Sequence, residues 1–280
     1  MRTTSHNRSD SPGKAPYWTE ESRDVTALRA FLVREPEKAA MLLGDLAVHY
    51  ADVTRWFVRR SVEGVDAVVM LYIGASVPSL HLYGPPEAVD FLVEQYADEL
   101  PDRFELHGCP EHREIMERRY PDIAWRRYVR MKLLVEEFSG SIEMRRAQRL
   151  SHADTAALVR LYGRCDLTFF DPHQIEAGFY FGIHEGDALV SAAGVHTVST
   201  EDMIAAIGNV ATHPDCRGQG LSVLTTGRLI QELLGRRMRT IVLNVSEHNH
   251  PAIRVYRKLG FREHTEILLA HIGASAPQHM

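Results

Sequence analysis

Residues 207–234, IGNVATHPDCRGQGLSVLTTGRLIQELL, decide how the chain is read. The segment starts as an apolar strand, turns at Pro214 through an arginine and two glycines, and continues as a helix that stops at Gly235. Val223, Ile230, Leu233 and Leu234 fall on one broad face of that helix, as burial against a sheet requires. The turn suits an anion. Gly218 and Gly220 let the backbone approach a phosphate, and the first N–H groups of the helix, from Leu221, have no intrahelical acceptors. Arg217 adds a full positive charge and Ser222 a hydroxyl donor. Two other phosphate loops fail here, because no lysine follows Gly220 and the residue three after it is Val223, not glycine.

Working outward, TIVLNV (240–245) is a continuous apolar run that reads as a strand buried on both faces. EHNH then turns, and PAIRVYRKLG (251–260) forms a short helix with Pro251 in its first turn and Gly260 past its end. With these pieces in place, the sequence resembles the GNAT superfamily of acyl-CoA-dependent N-acyltransferases. THPDCRGQGLS is similar to that family's pyrophosphate loop, and Asn249, Ala252, Tyr256, Gly260 and Phe261 match its N-x-x-A-x-x-x-Y-x-x-x-G-F pattern.

The resemblance implies an α/β fold over residues 141–275, a mixed twisted sheet with helices on both faces. It implies acetyl-CoA as co-substrate, with the backbone of Val210, Ala211 and Thr212 pairing with the pantetheine arm. Arg217, Gly218, Gln219, Gly220, Leu221 and Ser222 would hold the pyrophosphate, and Asn249 would contact the arm. Tyr256 would lie near the thioester sulfur and protonate the departing thiolate. The chain departs from the pattern at Ser222, where glycine or alanine is usual, and at the preceding strand, where IAAIGNV carries no carboxylate to act as base. Candidate bases are His196, Glu247 or a water held by Asn209. Asn209 and Asn244 interrupt apolar strands, so each must close a core hydrogen bond or face a cleft.

The first half lacks any such motif. Residues 1–20, rich in Ser, Pro and charge, read as a disordered tail. Residues 21–140 read as an N-terminal α/β domain, a degenerate GNAT-like half by implication of the resemblance. It opens with two helices between Arg23 and Tyr50, the second with Pro36 in its first turn. Strands follow at TRWFVRR, VDAVVMLYI and SLHLYG, a helix at EAVDFLVEQYADEL, a strand near Phe104, a helix at EHREIMERRY and a strand at AWRRYVRMKLL. The small polar stretch FSGS (138–141) reads as the linker between domains. In the second half SHADTAALVRLYG reads as a helix opened by a Ser151–Asp154 capping box, followed by two strands joined at EGD (185–187).

Composition narrows the function classes. With 280 residues, 45% apolar and 25% charged, the chain has ordinary globular values. A formal charge of −5 gives no electrostatic reason for nucleic-acid binding. No apolar run of about 18 residues and no leader core is present, so no membrane partner and a cytoplasmic location are expected. Three scattered cysteines, Cys109, Cys165 and Cys216, provide no disulfide framework. His248 and His250 lack a third ligand, so no metal is expected, and Cys216 beside Arg217 reads as packing more than as a reactive thiol. The RRYVRMK run reads as the solvent side of a strand. The expected function is therefore N-acetyl transfer to a small-molecule or peptide amine, with a non-catalytic acyl-CoA-binding protein as the alternative. Acceptor identity, acyl preference and oligomeric state leave no mark on the chain.

Overall fold

The computed structural model describes residues 16–273 apart from 166, 168 and 169. In chain order the strands are β1 (Trp18–Glu21), β2 (Thr54–Ser61), β3 (Gly64–Tyr72), β4 (Ser79–Tyr83), β5 (Phe104–Gly108) and β6 (Arg126–Leu133). The second half adds β7 (Gln148–Arg149), β8 (Phe181–Glu185), β9 (Ala188–Ser199), β10 (Ile204–Thr212), β11 (Thr240–Ser246) and β12 (Phe261–Ile272). The helices are α1 (Val25–Leu32), α2 (Ala40–Asp45), α3 (Pro86–Gln95), α4 (Arg113–Arg119), α5 (Thr155–Arg164), α6 (Leu221–Gly235) and α7 (His250–Lys258). They divide into two compact units. The first holds the N-terminal residues to Glu35, Asp45–Tyr128 and the chain from Glu266; the second holds Pro36–Gly44 and Val129–Thr265.

In the first unit β2, β3 and β4 form an antiparallel meander joined by short connections, and β1 pairs antiparallel with β2 although α1 and α2 lie between them in sequence. β4 and β5 are parallel, and α3 makes the crossover that parallel strands need. Leu80, Leu82 and Leu106 pack with Val89 and Leu92 of α3 and Met116 of α4. The unit's last strand is not β6 but the C-terminal part of β12, with Leu268 opposite Gly108 and Ile272 opposite Phe104.

The second unit repeats the order of meander, crossover helix, parallel strand and short helix. β8, β9 and β10 are antiparallel, and α6 carries the chain from β10 to the parallel strand β11. Leu221, Leu229, Ile230 and Leu233 of α6 and Ile253 and Tyr256 of α7 pack with Ile207 and Leu243 in one core. A second core joins Leu158, Leu161 and Tyr162 of α5 to Tyr180, Ala192 and Ala211. β10 supplies residues to both cores, so helices cover both faces of this sheet. Residues 129–133 of β6 complete the unit, where Arg130 Nε donates to Asn244 Oδ1 of β11 at 2.8 Å.

Several expectations are corrected. The tail was expected to reach residue 20, yet β1 pairs with β2 from Trp18, with Thr19 buried and the Arg60 guanidinium over the Trp18 ring. Residues 1–15, and 274–275 at the far end, lie outside the described residues. The division of units differs from a single boundary near 140: it falls inside β6 and again inside β12, because hydrogen-bonded strands rather than a polar linker carry the chain across. Pro36 lies in a turn ahead of α2 rather than in its first turn. The RRYVRMK run is not simply a solvent face. Arg130 is 4% exposed, held by Asn244 and the Lys38 carbonyl, and Lys132 pairs with Glu37 at 2.5 Å. A buried guanidinium is tolerable only when its donors are used, as they are here.

Candidate active site

Where β10 meets β11, Ile204–Ile207 lie opposite Thr240–Leu243, and the recorded pairing stops there. The β9–β10 ladder is irregular at the same level. Ala206 and Ile207 face Thr197 and Val195, so His196 is the extra residue of β9. Gly208 and Ala211 face Gly194 and Ala192, so the extra residue of β10 falls at Asn209–Val210, and Asn209 has φ 51°. Bulges of this kind re-aim side chains and end strand pairing. A Cβ on Gly208 would collide with the His196 imidazole. The ring therefore fills the space that a side chain at position 208 would occupy.

Asn209 is 3% exposed and held on several sides. Its Nδ2 donates to Gln174 Oε1 at 2.8 Å and to Tyr180 Oη at 2.6 Å, and its carbonyl accepts from Tyr162 Oη at 2.9 Å. Gln174 Nε2 in turn donates to the His196 carbonyl at 3.3 Å. Hydrogen bonds from three side chains thus offset the cost of a left-handed non-glycine residue, about 1–2 kcal/mol. Gln174, Tyr162 and Tyr180 were not singled out from sequence, since they meet Asn209 from 29 to 47 positions away.

The loop after β10 contains a 3₁₀ turn, Pro214–Cys216, and then both glycines in left-handed conformation, Gly218 at φ 79° and Gly220 at φ 76°. A Cβ at either would meet nothing within 4 Å, so glycine is needed there for its φ and not for room against the protein. Gly220 is the N-cap of α6 and provides no side-chain acceptor. The N–H groups of Val223 and Leu224 both return to the Gly220 carbonyl, at 3.0 and 3.3 Å. Those of Leu221 and Ser222 have no acceptor among the described residues. No acidic residue lies in the first turn of α6, Gln219 is exposed, and the exposed Arg217 donates through Nε to the Thr212 carbonyl at 3.3 Å. Backbone donors, a helix N-terminus and a guanidinium are an unbalanced positive set.

Asn249 caps α7, its Oδ1 accepting from the Ala252 N–H at 3.2 Å. Tyr256 is 7% exposed, packs edge-on against Phe261 at 6.0 Å, and its hydroxyl has no hydrogen bond among the described residues. Burial pushes its pKa above the ordinary phenol value, so the proton stays on the oxygen. Thr212 Oγ1 shares a hydrogen bond with Ser191 Oγ at 3.0 Å, fixing the end of β10. Of the other candidates, Asn244 is occupied by Arg130, and Glu247 lies in the turn after β11, 3.6 Å from His248. The Cys216 thiol is pushed up by desolvation and by the carboxylates of Glu185 and Asp215, the opposite of an activated thiolate.

This arrangement agrees with the comparisons. Residues 143–261 match the acetyltransferase (GNAT) family. Residues 143–261 are a GNAT domain. Two mycothiol acetyltransferases are similar over part of the chain. That of Thermobifida fusca is 31% identical over 102 residues, covering 33% of this chain and 30% of the relative, and that of Tsukamurella paurometabola is 32% identical over 108 residues, covering 36% of each. The chain thus matches about a third of the length of these curated relatives. A tandem GNAT protein from the clavulanic acid biosynthesis pathway shares the fold across 94% of this chain and 100% of its own, with TM-score 0.57 and 15% identity.

Against the GNAT domain, the first unit has the corresponding strands without the loop. After β4 the chain runs Gly84, Pro85 and Pro86, and a proline in the first turn of α3 removes an N–H that an anion would use. His112, 1% exposed, closes the gap. Its Nε2 donates to the Gly84 carbonyl at 2.9 Å and its Nδ1 accepts from the Cys109 N–H at 3.2 Å, so one neutral imidazole bridges the ends of β4 and β5. Burial holds the His112 pKa below its ordinary value, partly opposed by the Gly84 carbonyl. The unfolded chain then takes up a proton below pH ~6.5 that the folded chain refuses, so stability falls with pH from there downward. Urea midpoints measured from pH 7 to 5 are expected to fall with a slope of up to about 1.4 kcal/mol per pH unit. His112→Asn should flatten that slope, and an equally steep curve in the variant would assign the proton elsewhere.

Proposed function

We propose that the chain is an N-acetyltransferase that moves an acetyl group from acetyl-CoA to an amine by direct attack on the thioester. The observation that carries this reading is the His196 imidazole lying in the side-chain space of Gly208, on a strand with no carboxylate, at the point where β10 and β11 stop pairing. Imidazole titrates near neutral pH and suits a base that removes a proton from the attacking amine. The Leu221 and Ser222 N–H groups, Arg217 and the two left-handed glycines fit a pyrophosphate. In this reading the backbone of Val210, Ala211 and Thr212 and the side chain of Asn249 line the arm. Acetyl-CoA supplies the acyl group as a thioester. Tyr256 keeps its proton, and because a thiolate (thiol pKa ~8.5) is a weaker base than a buried phenolate, its hydroxyl acts as a hydrogen-bond donor to the leaving sulfur. The missing carboxylate on β10 is the one feature that favours a non-catalytic acyl-CoA-binding protein. The similarity to mycothiol acetyltransferases supports a small-molecule acceptor.

Calorimetry with acetyl-CoA tests the binding half of this reading. One molecule per chain is expected, since proline and His112 occupy the first unit's counterpart of the loop. Gly220→Val should weaken binding about 30-fold, the loss of roughly 2 kcal/mol of charge-assisted hydrogen bonding as the loop leaves its left-handed turn. Unchanged affinity would place the pyrophosphate elsewhere, and two molecules per chain would overturn the assignment of the first unit.

A further inference from the structure

A depression of about 810 Å³ lies between residues 140–149 and α6, within the volume range of small-molecule sites. Ser141, Arg145, Gln148, Arg149, Arg228 and Gln231 line it, and no carboxylate does. The arginines are prearranged. The guanidiniums of Arg149 and Arg228 both lie over the Phe181 ring, at 5.0 and 4.7 Å from its centre. Glu232 holds them from behind, 2.6 Å from Arg149 and 3.6 Å from Arg228, while also pairing with Arg236 at 3.2 Å. Arg149 is fixed further by the Gly178 carbonyl. Arg145 is exposed and has no ion-pair partner among the described residues. Three guanidiniums thus share one carboxylate and Arg145 adds a further positive charge, in a chain whose formal charge is −5.

The two glutamine amides of the site are tied to backbone carbonyls. Gln148 Nε2 donates to the Arg145 carbonyl at 2.7 Å and Gln231 Nε2 to the Ser141 carbonyl at 3.4 Å. Each guanidinium carries five N–H donors in a rigid fork, and one carboxylate shared among three cannot accept them all. Stacking on Phe181 fixes Arg149 and Arg228 in advance, so an incoming anion loses less side-chain entropy in ordering them. We infer that this depression binds a small, multiply charged anion bearing phosphate or clustered carboxylate groups, at a site separate from the pyrophosphate loop proposed at the N-terminus of α6.

Calorimetric titration of the full chain with inorganic pyrophosphate and, separately, with citrate tests this. A site that survives Arg217→Gln is expected for at least one of the two anions, and the tighter of them identifies the ligand as phosphate-like or carboxylate-like. Arg228→Gln should weaken it about tenfold or more and Arg145→Gln several-fold, whereas any pyrophosphate binding at the N-terminus of α6 is a separate event that Arg217→Gln alone removes. Arg145 is exposed and unpaired, so its variant reports on binding even if Arg228→Gln perturbs the fold. No binding of either anion, equal affinity in all three variants, or a loss confined to Arg217→Gln would overturn the assignment.

Discussion

Tyr256→Phe is expected to lower kcat about 100-fold while the Kd for acetyl-CoA moves less than twofold. The ring makes the contacts, and phenylalanine keeps them: the side chain is buried with Phe261 at 6.0 Å, and no hydrogen bond of its hydroxyl is lost. What the variant removes is a donor whose interaction strengthens as charge develops on sulfur, so turnover falls and ground-state binding does not. Stability should change by well under about 1 kcal/mol, since burying an unpaired hydroxyl earns nothing in the folded state. Release of free thiol in the presence of an amine panel measures the rate. Full activity in the variant would remove Tyr256 from the mechanism, and a purely binding protein would show no turnover to lose.

His196→Asn should have the larger effect, a fall in kcat of roughly 10²- to 10⁴-fold, with loss of the acid limb of the kcat/KM profile. The pH profile matters because a residue that only braced β9 would lower activity without changing its shape. Gly208→Ala provides an independent approach to the same group. Its methyl would occupy the space of the imidazole and displace the ring without altering its chemistry, so activity should fall while acetyl-CoA binding persists. A His196→Asn enzyme with an unchanged pH profile would transfer the role of base to another group.

The parts of this site legible in sequence are those whose chemistry is local. Gly218 and Gly220 announce left-handed turns, Asn249 and Pro251 a helix start, and Ser151 with Asp154 a capping box that the structure forms at 2.7 Å. A side chain and its backbone partner three residues on are enough to specify each. The two bulges were not legible. His196 could be named as a candidate, but its position over Gly208 depends on one extra residue in β9, and ladder register is set by both strands together. The Asn209 cluster joins residues 35 and 29 positions apart, and no periodicity reports such a meeting. Arg130 was misread for a related reason. Alternating charge in AWRRYVRMKLL describes an exposed strand until the neighbour is known, and here the neighbour offers Asn244. The tail was placed too long because four residues of Trp, Thr and Glu have no pattern of their own before an edge strand recruits them.

The strand that completes the first unit is made last. On a ribosome adding about 5–20 residues per second, β5 emerges more than 150 residues ahead of its partner in β12 and waits for roughly 8–30 seconds with one edge unpaired. An open edge beside Leu106 and Phe104 is a template for pairing with another nascent chain. The protein therefore carries a period of aggregation risk during synthesis that a chain with sequentially complete halves would not. Removing only the last dozen residues would make that exposed state permanent, even though they lie outside the segment that matches the GNAT family.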